Sequence, residues 1–183
     1  MGADIYAFVE VKRGDRWDDF LKVYLFRDYD MFCALFGVRC FLDVEEPLFP
    51  RRGFPEDADV FAEVTYKDSG GHSATWVTFR EFKKAKDLNV KVDDLRVHIY
   101  KREGNKWIYE GKAAGIFSRG KSITRAAIED TRAYYDPEGD KLYIVEREEV
   151  ALTPEWEDLY AVMAALADRY GEDNVRLVVW FSD

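Results

Sequence analysis

Glutamine is absent from this 183-residue chain, and cysteine (two), histidine (two) and proline (five) are scarce. Each scarcity excludes something. Two cysteines, Cys33 and Cys40, cannot build a disulfide-dense scaffold or a four-thiolate zinc site. Their spacing fits no metal or redox pattern, so they are expected to be buried thiols of a reducing compartment. With only His72 and His98, there is no His-x-x-x-His pair of the metalloprotease kind. No apolar run approaches the roughly 18 residues of a membrane-spanning helix, and no basic region followed by an apolar one opens the chain. A soluble, cytoplasmic protein with no membrane partner is the expectation.

What is present is a globular composition. Hydrophobic residues make up 48% and aromatics 16% of the chain, which excludes disorder, and the length suffices for one domain with a sizeable core. A charged content of 34% with asparagine only at Asn89, Asn105 and Asn174 leans towards a thermophilic source. The net charge of -9 is unevenly spread. Arg80 to Arg125 carries thirteen basic against six acidic residues, a net of +7, whereas Glu129 to Asp158 carries eleven acidic against three basic, a net of -8. Either the basic segment faces an anionic partner, or the two blocks exchange salt bridges across neighbouring strands.

Asp4 to Val11 alternates Ile5, Ala7, Val9 and Val11 with Tyr6, Phe8 and Glu10, the pattern of an inner strand. Gly14-Asp15 turns the chain into a second strand over Trp17 to Phe26. Asp28 caps a short helix that Gly37 ends after Phe36. Pro47, Pro50 and Pro55 make the next stretch a rigid loop, and Asp57 to Tyr66 reads as a helix. Gly70-Gly71 then forms a turn holding His72, Ser73 to Val77 is a strand, and Thr78 with Glu81 makes a capping box for a helix to Lys86. Gly104-Asn105 joins a hairpin of Leu95–Tyr100 and Lys106–Tyr109. A second hairpin pairs Thr131–Tyr135 with Lys141–Val145, with a short helix over Ser122 to Asp130 before it. Thr153-Pro154-Glu155 starts a helix whose face of Trp156, Leu159, Tyr160, Met163, Leu166 and Tyr170 ends at Gly171. Val175 to Phe181 is almost wholly apolar, a central strand. The sum is a single α+β domain: a mainly antiparallel sheet including both terminal strands, packed by a C-terminal helix and shorter helices.

Several stretches together resemble a group of uncharacterised proteins of bacteriophage and prophage genomes. They are Met1-Gly2-Ala3-Asp4-Ile5-Tyr6, Arg27-Asp28-Tyr29, Pro50-Arg51-Arg52-Gly53-Phe54-Pro55-Glu56-Asp57, Gly71-His72-Ser73 with Trp76-Val77-Thr78, and Val175 to Phe181. This sequence departs from the group at Tyr6, usually histidine there, and at Ser182-Asp183, where the group ends in Asp-Asn. The resemblance covers roughly the first 85 residues and the tail, leaving about 88–150 as an insertion. It implies a genome context and carries no activity.

Three constellations are candidate sites. Asp4, Tyr6, Glu10, His72 and Ser73 would bring carboxylate, phenol, imidazole and hydroxyl together if the first strand ran beside the one after His72. Such a set binds a ligand, or in a rival reading uses Asp4 and His72 with a metal to hydrolyse a phosphodiester. The structural alternative has His72 and Ser73 bonding locally at their turn. Gly115 to Ser122 matches the spacing of a phosphate-binding loop. Bulky Ile116 and Phe117, the antiparallel surroundings and the short remaining chain oppose that reading, leaving a looser anion contact through Lys112, Arg119, Lys121, Ser122 and Arg125. Arg51 and Arg52 either grip a carboxylate or phosphate or staple their own loop. The leading expectation is a small phage-type accessory protein that binds a protein partner through the His72 turn and the Pro50–Asp57 loop, with nucleic-acid or nucleotide-phosphate binding through the basic Arg80–Arg125 segment as an alternative. No catalytic residue, cofactor or metal is expected.

Overall fold

The computed structural model describes residues 2–118 and 121–183, Ser118 by its backbone alone. It is an α+β fold with antiparallel sheets that include both terminal strands. The chain forms two compact units. Unit 1 comprises Met1–Arg39, Glu46–Asn89 and Val150–Asp183, and unit 2 comprises Cys40–Glu45 and Val90–Glu149. No helix among the described residues is long and apolar enough to cross a membrane.

Unit 1 is built on a four-stranded sheet of order β2-β1-β12-β3. β1 (Asp4–Arg13) and β12 (Val175–Ser182) are its inner strands, and β2 (Arg16–Val23) and β3 (His72–Thr78) are its edges. The burial of β12, complete from Val175 to Phe181, is what an inner strand covered on both faces requires. On one face Tyr6, Phe8 and Trp180 stack in a row, with ring centroids 5.3–5.4 Å apart, and pack against Phe54, Ala62 and Tyr66. Ala62 and Tyr66 belong to α2 (Val60–Asp68). On the other face Phe181 meets Phe32 and Phe36 of α1 (Tyr29–Phe36), and Phe36 meets Trp156.

Local chemistry sets these elements. Asp28 accepts from the Met31 N–H and Gly37 ends α1 at φ 68°. The Thr78–Glu81 capping box is formed and starts α3 (Phe79–Phe82), which tightens into a 3₁₀ turn over Lys83–Asp87. Pro154 heads the long helix of Pro154–Tyr170 (α5 in chain order, below). Its N-cap Thr153 makes no side-chain cap; the hydroxyl donates instead to Asp28 Oδ2 at 3.0 Å, tying two helix starts together. Gly71 has no room for a side chain, since a Cβ there would lie 2.5 Å from the Trp180 ring.

Unit 2 has its own four-stranded sheet, of order β6-β5-β10-β9. The hairpin β5 (Val97–Glu103) and β6 (Lys106–Ala113) turns at Gly104-Asn105, and β9 (Ala133–Asp136) pairs with β10 (Lys141–Ile144). A further ladder joins β4 (Asn89–Asp93) and β11 (Arg147–Ala151). The apolar cluster is small: Val97, Ile123, Ile128, Tyr143 and Val145, flanked by Ile99, Ile116 and Tyr134.

Two expectations are corrected, the helix over Ser122 to Asp130 and the free thiols at Cys33 and Cys40. β7 (Gly115–Ser118) and β8 (Lys121–Thr124) pair antiparallel, from Gly115 with Thr124 to Ser118 with Lys121, the antiparallel setting that opposed a phosphate-loop reading of Gly115 to Ser122. The helix expected over Ser122 to Asp130 shrinks to α4 (Arg125–Ile128), leaving the final helix as α5. Neither cysteine is free: Cys33 and Cys40 are both disulfide-bonded, and Cys40 is exposed, so the expectation of buried thiols fails. Two isolated cysteines carry no pairing signal in sequence; only geometry decides.

Candidate functional site

The residues that sequence reasoning grouped around His72 do not converge. β12 lies between β1 and β3, with Asp4 opposite Ser182 and His72 opposite Phe181. Successive residues of β12 face opposite ways, so Asp4 and His72 stand two strand spacings apart, about 10 Å, on opposite faces. Asp4 is held instead by a two-pronged bond from Arg27 at 2.6 and 3.0 Å, which lowers its pKa. Tyr6 is stacked on Trp180. His72 Nδ1 lies 3.0 Å from Ser73 Oγ, whose residue sits at φ 53°, and His72 Nε2 has no hydrogen-bond partner, with Asp183 Oδ1 3.8 Å away. The local alternative is what forms.

Glu10 has a structural task. It is fully buried and accepts from Arg176 Nε at 2.7 Å and from the Asp59 N–H at 2.9 Å. Arg176 also donates to Asp57 at 2.8 Å, and its guanidinium lies 4.0 Å from the centre of the Trp17 ring. Asp19, opposite Glu10 on β2, has both carboxylate oxygens buried without a partner. Burial, with Asp59 and Glu10 beside it, pushes its pKa up to about 7.

Arg52 is a staple. It donates to both oxygens of Glu81 and to the Trp76 carbonyl and stacks 4.8 Å over the Trp76 ring. The bond from Arg52 is the largest of the causes that hold Glu81 down to about 2. Arg51 is exposed. Of the expected anion-contacting residues, Lys121 and Ser122 are exposed on β8, Arg125 donates to Asp93 Oδ2 and the Asp94 carbonyl at 2.6 Å each, and Arg119 lies outside the described residues.

The densest polar constellation among the described residues is in unit 2, around the other histidine. Asp94, Arg96, His98 and Tyr100 occupy alternate positions leading into and along β5, so their side chains share one face while Val97 and Ile99 enter the apolar cluster. Asp94 and His98 are buried, at 0% and 3% exposure. Arg96 holds Asp94 through Nε at 2.8 Å and Nη2 at 2.8 Å. His98 Nε2 lies 3.2 Å from Asp94 Oδ2 and 3.5 Å from Glu148 Oε1; its Nδ1 lies 3.3 Å from Glu146 Oε2. Tyr100 donates to Glu146 Oε1 at 2.8 Å, and burial followed by that carboxylate raises its pKa to about 12. Lys112, brought opposite His98 by the β5–β6 register, bridges Asp94 Oδ2 at 3.0 Å and Glu148 Oε1 at 2.9 Å. Burial opposes ionisation of Asp94, but bonds from His98, Arg96 and Lys112 overcome it and hold the carboxylate well below the ordinary range.

Among the described residues, Asp94, His98 and Glu148 have donor atoms close enough together to share a cation. Sequence reasoning passed over them, although a period-two polar row in Asp94-x-Arg96-x-His98-x-Tyr100, answered by Glu146-x-Glu148, was there to be read. Compared with known proteins, the chain matches no protein-family model, no curated protein and no solved structure.

Proposed function

We propose that the chain is a small accessory protein that acts by binding a protein partner, which docks as an extended strand along β6. The observation that carries this is an apolar triplet on an edge strand: Trp107, Ile108 and Tyr109 are 40%, 44% and 50% exposed, and among the described residues β6 has a sheet neighbour on one side only. An open edge offers unpaired N–H and C=O groups to an incoming strand, and natural proteins shield such edges unless they use them. Trp107 and Tyr109 face one side and Ile108 the other, so backbone bonds would supply affinity and alternate side chains specificity.

The opposite situation holds at β3. The Pro50–Asp57 loop lies on that edge, Gly53 donating to the Ala74 carbonyl at 3.0 Å and Thr75 Oγ1 to the Pro50 carbonyl at 2.7 Å. The chain's own loop uses bonding groups that a partner would need, which moves the favoured surface from the His72 turn to β6. Nucleic acid is the competing ligand, because Trp107 and Tyr109 would also stack bases. Against it, Arg96, Lys112 and Arg125 of the basic segment are spent on Asp94, Glu148 and Asp93. The phage-type assignment rests on the motifs quoted above, and a cytoplasmic location loses its argument from free thiols.

A displayed random-peptide library selected on the immobilised chain tests this reading. Peptides with alternating apolar positions are expected to be enriched, to protect β6 amides from exchange, and to bind the W107E/Y109E variant at least about tenfold more weakly. Failure to enrich, or peptides indifferent to the variant, would refute it. Tight binding of an oligothymidylate that weakens steeply with salt would favour nucleic acid.

A further inference from the structure

We propose that Asp94 Oδ2, His98 Nε2 and Glu148 Oε1 form a binding site for a divalent transition-metal ion of the Zn²⁺ class, in competition with the Lys112 ammonium. The three donor atoms lie within 4.8 Å of one another, and the two separations from the imidazole nitrogen are 3.2 and 3.5 Å. Ligands about 2.0–2.2 Å from a tetrahedral ion stand roughly 3.3–3.6 Å apart, so the spacing suits zinc. One imidazole and two carboxylates are a donor set for a borderline divalent ion, leaving a fourth position for water.

Two further features are those that a metal site needs and a chance acidic cluster lacks. The second ring nitrogen of His98 faces Glu146 Oε2 at 3.3 Å, and Tyr100 fixes that carboxylate from behind. A carboxylate behind a histidine orients the ring and strengthens it as a ligand. Asp94 is held the same way by the Arg96 fork. Lys112 places a positive charge 2.9–3.0 Å from both carboxylate oxygens, two of the three proposed ligand atoms. Its flexible stem lets the ammonium leave when a doubly charged ion arrives, and Glu148, with 30% side-chain exposure, gives that ion a way in. Arg96 Nη2 shares Asp94 Oδ2 with the proposed ion and moderates the affinity. This inference is independent of the β6 docking surface.

Chelator-treated full-length chain titrated calorimetrically with ZnCl₂ is the test, with Co²⁺ visible absorption as a second readout. Wild type is expected to bind one equivalent and to rise in melting temperature; K112M is expected to bind at least about tenfold more tightly, through loss of the competing charge. H98A and, as a milder variant, E148Q are each expected to weaken binding by about tenfold or more in both backgrounds, while H72A leaves it unchanged. Absence of zinc binding by both wild type and K112M would overturn the site. So would affinity indifferent to H98A and E148Q, and a K112M affinity no higher than wild type would overturn the competition.

Discussion

The two units bury charge in different ways. Unit 1 encloses an ion pair: Arg176, 2% exposed, is shared by the fully buried Glu10 and by Asp57 and is covered by the Trp17 ring. Unit 2 closes around an anion: Asp94, 0% exposed, is held by Arg96, Lys112 and the His98 ring, all more accessible than it. The surroundings differ as well. Unit 1 has a two-faced aromatic core, so its charge cluster is an inclusion in packed hydrocarbon, whereas unit 2 sets its polar centre beside a small apolar cluster. A guanidinium locked in a fork and under an indole cannot be exchanged for anything else. An ammonium on a flexible stem, next to an imidazole, can.

That contrast can be broken by experiment. The largest effect is expected for Arg176→Leu, which strands the buried Glu10 carboxylate: a loss of about 3–5 kcal/mol in urea unfolding, partly recovered by adding Glu10→Gln. No recovery would mean that the guanidinium matters for packing and not for charge. Asp94→Ala is expected to cost about 3 kcal/mol, with lost amide-exchange protection confined to unit 2; equal loss in unit 1 would show that the two units unfold together. Asp19→Asn is expected to stabilise. Because the folded-state pKa of Asp19 is raised to about 7, wild-type stability falls as pH climbs from the ordinary aspartate range through 7. The variant should therefore gain about 1–2 kcal/mol at pH 8, after allowance for solvent screening, and nothing at pH 3. The smallest effect is expected for Glu81→Gln, about 1 kcal/mol at pH 7. Its carboxylate is held down to about 2, so that contribution is present above the ordinary glutamate range and disappears as pH falls towards 2.

Much of the local structure was legible in the residues. Asp28 and Gly37 bracket α1, Thr78 and Glu81 cap α3, Pro154 and Gly171 bound α5, and Gly104-Asn105 turns the β5–β6 hairpin, because each depends on a few neighbouring side chains. The site was misread for the opposite reason. Placing Asp4 beside His72 required β1 and β3 to be neighbours, and nothing in either strand says that β12 inserts between them. The phosphate-loop spacing is met by accident, because Lys121 and Ser122 belong to a strand paired antiparallel with Gly115–Ser118 and not to a helix start. Arg52 meets Glu81, and Lys112 meets Glu148, across separations that no local pattern encodes.

By itself, then, the sequence determined an α+β chain with antiparallel strands, helix ends where caps and glycines stand, and a buried C-terminal strand, since these follow from periodicity and short-range hydrogen bonding. Tertiary structure alone decided which charges meet, which histidine is surrounded by carboxylates, and which strand edge is left open, because those depend on strand order and register, which long-range packing selects.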